Sequence, residues 1–240
     1  MSITQLPVTE VSGLDTFFYG IYPYICFTVF VLGSILRMDR DPYSWRTKSS
    51  QLLRKGNFIW ASYLFHIGII MILLGHFVGL LTPHWLYADV LGLPVMVKQW
   101  MAMGFGGFFG LVCLVGLLML LSRRLQDPRI RALTTFADIA ILIVLLVQLL
   151  LGLTSIFYSA QHTDGSRMVE LAEWAQHIVT FRPGAAAYVA NAEWVFKTHI
   201  VLGMTIFLIF PFTRLVHMLS VPVGYLLRRN QQIVRKRARR

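Results

Sequence analysis

Four histidines carry the chemistry this chain could perform: His66, His76, His199 and His217. The first two lie inside Asn57–Thr82, a stretch with no Asp, Glu, Lys or Arg. About 25 such residues are long enough to cross a bilayer as a helix. An imidazole in hydrocarbon must find a partner, so it is rare there and marks a functional site by default. A metal centre would partner both. The second pair sits in Trp194–Leu219, with His199 toward one end and His217 toward the other. If the two segments cross in opposite directions, His66 shares a level with His217, and His76 with His199. A haem iron with two axial imidazoles needs its ligands on opposite faces and near one level. The crossed pairing would offset them by roughly 15 Å or more, at 1.5 Å per residue. The spacing therefore predicts two haems, held by His66/His217 and His76/His199.

The angular arithmetic is less direct. Eighteen residues at about 100° each return His217 to the face of His199, whereas ten put His66 and His76 about 80° apart. Pro211 is expected to kink the second segment and change its facing. Haem planes of different direction would serve equally, and the spacing leaves both open. A single histidine in a span is as readily a hydrogen-bond partner or a relay residue. Four at two matched depths point to haem.

The elements that must position them follow from composition. The 240 residues are 56% hydrophobic, and the apolar residues come in blocks. Five blocks are long enough to span: Phe17–Leu36, Phe58–Leu81, Trp100–Leu121, Phe136–Phe157 and Trp194–Leu219. Only helices and closed barrels satisfy their backbone in lipid, and the blocks lack the alternation a barrel requires. The fold class is therefore an all-α integral membrane protein, a five-helix di-haem bundle forming one membrane domain over 1–240. The first 14 residues contain no Lys or Arg, unlike the front of a signal peptide, so the first span is expected to be retained. Cys26 and Cys113 fall inside spans, which excludes a disulfide framework. No Cys-x-x-Cys-His motif is present, so covalent haem attachment is not expected.

Charge predicts the orientation. Of 22 basic residues, 18 fall on one set of alternating ends, in Arg37–Lys55, Arg123–Arg131 and Arg214–Arg240. The other set holds Lys98, Arg167, Arg182 and Lys197. This bias puts the N-terminus outside and the C-terminus in the cytoplasm. The net charge of +11 reads as topology and contact with anionic lipid, not as nucleic-acid binding.

Gly68, Gly75 and Gly79 form one stripe of the second span, and Gly104, Gly106, Gly107 and Gly110 crowd the third. Close helix packing accounts for each, and a flat macrocycle would also use side-chain-free surface. His84, beside Trp85 and Tyr87, reads as interfacial. His162 and His177 lie in the outer loop Tyr158–Glu193, where they are expected to be solvated. The loop is long enough to fold over the outer face, and its Asp164, Glu170, Glu173 and Glu193 are expected to form a wet acidic surface.

Several stretches together are similar to a known family. They are Ile21-Tyr22-Pro23-Tyr24-Ile25, Ser44-Trp45-Arg46 to Lys55-Gly56, Phe65-His66-Ile67-Gly68 through Gly75-His76, and Leu81-Thr82-Pro83-His84-Trp85. Further on come Val97-Lys98-Gln99, Ser159-Ala160-Gln161-His162 and Phe210-Pro211-Phe212-Thr213-Arg214-Leu215-Val216-His217. The chain resembles the γ subunits of respiratory nitrate reductases, the cytochrome b membrane anchors of those complexes. Cytochromes of the bc type space their histidines differently. The resemblance covers about Phe17 to Leu227, and it implies a location in the bacterial or archaeal cytoplasmic membrane. It implies oxidation of a quinol near the outer leaflet, with electrons passing through two non-covalent b haems to an iron–sulfur subunit and a molybdenum subunit in the cytoplasm. Lys98 matches the family's quinol-site lysine, with Gly75 leaving room beside the outer haem. On its own, Lys98 would read as a lysine snorkelling to the interface.

Three other functions fit parts of the sequence. A similar electron-transfer subunit could serve another cytoplasmic oxidoreductase. A proton channel or transporter could use the histidines as a relay, and would lack visible absorption. A passive anchor would leave the four histidines replaceable.

Overall fold

The structure is a computed structural model that describes residues 11–45, 58–162 and 164–220. The basic residues Arg46, Lys48, Arg54 and Lys55 and the tail Arg228–Arg240 lie outside the described residues. Among the described residues the chain is all-helical, without strands, and five helices are long and apolar enough to cross a membrane. They are Gly13–Arg40, Phe58–Leu81, Val95–Gln126, Phe136–Ser159 and Trp194–Phe212, spans one to five in chain order.

Span two has the bounds read from the sequence. Spans one and three run further than expected. Span three begins at Val95 behind Pro94 and ends at Gln126, so Lys98 stands in its first turn and Arg123 and Arg124 in its last. Basic residues at a helix C-terminus complement the macrodipole, and long stems let them stay helical past the apolar block. Span four starts on a capping box in which Thr135 and Asp138 each accept a backbone N–H of the other.

Span five departs most from the expected single helix to Leu219. Its α-helix ends at Ile209, tightens through Phe210–Phe212 around Pro211, and breaks at Thr213, where ψ is 178°. A second tight helix, Arg214–Ser220, carries His217. Proline removes one helical donor and clashes with the preceding turn, which accounts for the break. Gly33 of span one makes room for it: a Cβ there would lie 2.9 Å from the Pro211 ring.

Spans pack side by side in the order two, three, four, five, one. The closest crossing is that of spans two and three. A Cβ on Gly116 would lie 2.3 Å from the Phe65 backbone nitrogen, and one on Gly68 would lie 2.6 Å from Cys113. Gly68 and Gly116 are therefore packing glycines. Gly110 also packs closely, against Leu153 of span four. Spans two and five make little backbone contact, and the four histidines face each other across the gap between them.

The described residues of 158–193 form a folded cap. Its helix Ser166–Val179 buries Trp174, Ala175 and Ile178 against Tyr19, Ala185, Ala186 and Val189. The Trp174 indole N–H donates to the Tyr19 carbonyl over 2.9 Å. Gln176 Nε2 donates to the carbonyls of Leu80 and Thr82, two of the groups a helix leaves unsatisfied at its end. Of the acidic residues of this segment, Asp164 is exposed as expected and bonds only its neighbour Ser166, whereas the three glutamates are paired. Arg167 bridges Glu170 and Glu193, and His177 is half-buried between Glu173 and the Tyr188 ring.

Candidate functional site

The two histidine pairs come together as the depth argument requires. The ring centroids of His66 and His217 are 6.4 Å apart, and those of His76 and His199 are 6.1 Å apart. An imidazole nitrogen sits about 2 Å from a metal it ligates, with the ring centroid about 1 Å beyond. Two imidazoles on opposite sides of one iron thus have centroids about 6 Å apart, and both pairs match. The pairs differ in attitude, with interplanar angles of 71° and 31°. Of the two alternatives left open by the sequence, the change of facing in span five is present, since the helix is broken at Thr213.

Backbone contacts choose the tautomer in three of the four rings. Nδ1–H of His66 donates to the Ser62 carbonyl over 2.7 Å, and that of His76 to Ile72 over 2.9 Å. Nδ1–H of His217 donates to the Arg214 carbonyl over 2.5 Å. Each bond reaches back one helical turn and leaves Nε2 unprotonated, the usual arrangement of a metal-ligating histidine. His199 is held differently. Its Nδ1 is buried without a hydrogen-bond partner. Gln148 Nε2 donates to the His199 carbonyl over 3.1 Å and lies 3.3 Å from His199 Nε2, the nitrogen that the other three rings leave without a partner. Gly152 supplies the space, because a Cβ there would sit 3.0 Å from His199 Cε1. No group of three or more His, Cys, Asp or Glu converges among the described residues. The donor set is thus two pairs of imidazoles, which suits a metal whose other positions are filled by a macrocycle.

The segment around His217 is tied down from two sides. Arg37, at the end of span one, donates to the carbonyls of Pro211 and Thr213 and to Ser44. Arg214 lies 3.5 Å from Asp138 of span four.

Lys98 occupies a separate place. Its ammonium is buried without a hydrogen-bond partner and lies 3.7 Å from the centroid of the Tyr87 ring. Tyr87 is itself buried and has His84 on it, with ring centroids 5.0 Å apart. Burial, and then the Glu173 carboxylate, push the Tyr87 phenol above its usual range, so Lys98 faces a neutral ring. The next residue, Gln99, donates to the carbonyls of Ser159 and His162. Gly75 faces Phe105 of span three, where a Cβ would make an ordinary 3.5 Å contact. Phe105 lies seven residues after Lys98, about 10 Å along the helix.

Sequence reasoning missed Gln148, Arg37 and Tyr87. Gln148 had a signal, being the one amide in the apolar length of span four. Arg37 had been counted only as a topological charge, and the Tyr87 contact depends on a wide helical turn at Leu86–Val90 that no motif announces.

Comparison with known proteins agrees with this architecture. The model of the nitrate reductase gamma subunit family matches residues 15–237. The chain is 54% identical to the respiratory nitrate reductase 1 gamma chain of Escherichia coli strain K12, over 93% of this chain and 98% of that one. It is 56% identical to the respiratory nitrate reductase 2 gamma chain of the same strain, over 95% and 99%. It is 39% identical to the nitrate reductase gamma chain of Bacillus subtilis strain 168, over 92% and 97%. With the family model matched over residues 15–237 and nearly the whole length shared with relatives up to 56% identical, this chain belongs to the nitrate reductase gamma subunit family.

Proposed function

We propose that this chain is the di-haem b-type membrane subunit of a respiratory nitrate reductase, which oxidises quinol near the outer face of the membrane. The observation that carries the reading is the pair of facing imidazoles at each of two levels, 6.4 and 6.1 Å apart. His66 and His217 would hold the inner haem, and His76 and His199 the outer one. Bound there, two six-coordinate haems supply one-electron transfer across the membrane without an open position for oxygen chemistry. The basic ends of the spans would face the cytoplasm, where they offer a docking surface to an iron–sulfur subunit and a molybdenum subunit. A relay through the histidines would need both ring nitrogens of each. In three of them Nδ1 is engaged by the ring's own helix.

The residues have distinct tasks. Three imidazoles are oriented by their backbone carbonyls, and Gln148 and Gly152 shape the place of the fourth. Lys98 would donate a hydrogen bond to a quinol oxygen and stabilise negative charge as the quinol loses its protons. Its buried, unpartnered ammonium fits that task better than it fits snorkelling. Gly75 would border the quinol pocket.

The test is quinol-driven reduction of the membrane-bound protein. Added quinol should reduce a b-type absorption in the wild-type protein. Lys98→Ala should slow that reduction about tenfold or more and weaken competitive quinol-site inhibitors, with both haem spectra intact. Lys98→Arg should give a partial defect, since charge is kept and donor geometry changes. Quinol oxidation at the wild-type rate in Lys98→Ala would move the site elsewhere.

A further inference from the structure

Arg37 stands outside the haem ligands and outside the quinol pocket, yet every nitrogen of its guanidinium is hydrogen-bonded. Its Nη1 donates to the carbonyls of both Pro211 and Thr213. Those flank the break that separates the helix bearing His199 from the short helix bearing His217. A break in a membrane helix frees carbonyls that lipid cannot satisfy, so something in the protein must. A guanidinium can meet two at once, because its donors form a planar fork. The rest of that fork is also engaged. Nε donates to Ser44 Oγ over 2.9 Å, and Nη2 to the Ser44 carbonyl over 3.2 Å.

Ser44 closes the tight turn Pro42–Ser44, which opens the basic loop after span one. The next residue, Trp45, packs on the cluster of Ile141, Phe210, Leu215 and Val216, the last two of which belong to the His217 helix. Tyr43 of the same turn is fully turned outward, with 89% of its surface exposed. One guanidinium therefore joins the end of span one, the head of the basic loop and the segment that holds His217.

We propose that Arg37 is a positioning residue for the His66/His217 pair, fixing the Pro211–Ser220 segment to the head of the basic loop. The proposal rests on the haem reading for its spectroscopic consequence, but the clamp itself does not. Two arms separate them. Backbone hydrogen exchange of the full chain in membranes reads the clamp. In Arg37→Met, amides of Thr213–Ser220 should exchange about tenfold or more faster, the loss of at least one charge-assisted hydrogen bond. Trp194–Ile209 should exchange as before. Midpoint potential and low-spin electron paramagnetic resonance read the consequence. The signal that is lost in His217→Ala should shift in Arg37→Met, while the signal lost in His199→Ala and the KM for quinol stay unchanged.

Arg37→Lys should give a smaller change in the same direction, since an ammonium cannot reproduce the fork. Should Arg37→Met not assemble, Arg37→Lys and Ser44→Ala decide the matter by the same two readouts. Unchanged exchange in Thr213–Ser220 would overturn the clamp. Faster exchange with an unshifted signal would overturn the positioning role. If His217→Ala kept both low-spin signals, the haem assignment would fail, and the exchange arm would still decide the clamp.

Discussion

His66→Ala and His217→Ala should each remove one haem, the same one, and stop electron delivery to the soluble partners. The reason is geometric. The two rings face each other at 6.4 Å, and each Nε2 is left free by a backbone-tied Nδ1. Neither imidazole can be replaced by a neighbour, because no other histidine, cysteine or acidic residue converges there among the described residues. Loss of one axial ligand should therefore cost more than the tenfold to hundredfold typical of disturbing a ligand's outer support. Quinol-dependent nitrate reduction should fall by about a hundredfold or more. The haem of His76 and His199 should remain and should still be reduced by quinol. Optical spectra of membranes containing each variant check this, with quinol as the only reductant. Unimpaired delivery in His66→Ala would show that the His66/His217 pair is not on the path.

Gly116→Val should be nearly as damaging without touching a ligand. A Cβ at Gly116 would lie 2.3 Å from the Phe65 nitrogen, 2.8 Å from its Cα and 2.9 Å from the Leu64 carbonyl carbon. All three are backbone atoms, so relief requires span two itself to move, and Phe65 is the residue before His66. Overpacking of a well-packed contact usually costs about 1–3 kcal/mol, and a backbone obstacle puts this case at or above the upper end. The variant should assemble poorly, melt earlier in detergent, and lose the His66/His217 haem before the other. Gly107→Ala is the matched control, since its Cβ would meet only Ile156 at an ordinary 3.8 Å. Wild-type melting and haem retention in Gly116→Val would mean that spans two and three do not cross where the structure puts them.

How much of this was legible in the sequence depended on range. Span two could be bounded to the residue because uncharged, apolar composition decides membrane helices. The pairing of the histidines was legible because opposite directions and a fixed rise leave one match in depth. Pro211 announced a break but not its outcome, since the fate of the freed carbonyls depends on Arg37, 174 residues earlier. The cap over spans one and two was less legible still. Its amphipathic helix buries Trp174 against Tyr19, a partner 155 residues away, so no local pattern could tell a folded cap from a wet loop. Lys98 shows the same limit at the candidate site. Its type and position suggested a role, while its burial over Tyr87 comes from a turn that folds back before span three begins.

The central claim is that four imidazoles hold two haems, and counting them tests it most directly. The protein should be purified with its partner subunits, and its b haem should be measured per γ chain by pyridine haemochrome. Low-spin ferric signals should be recorded on the same sample. The account predicts two haems per chain, both extracted by acid–acetone and both six-coordinate with paired imidazoles. A single haem per chain, or haem that stays attached after acid–acetone, would contradict it.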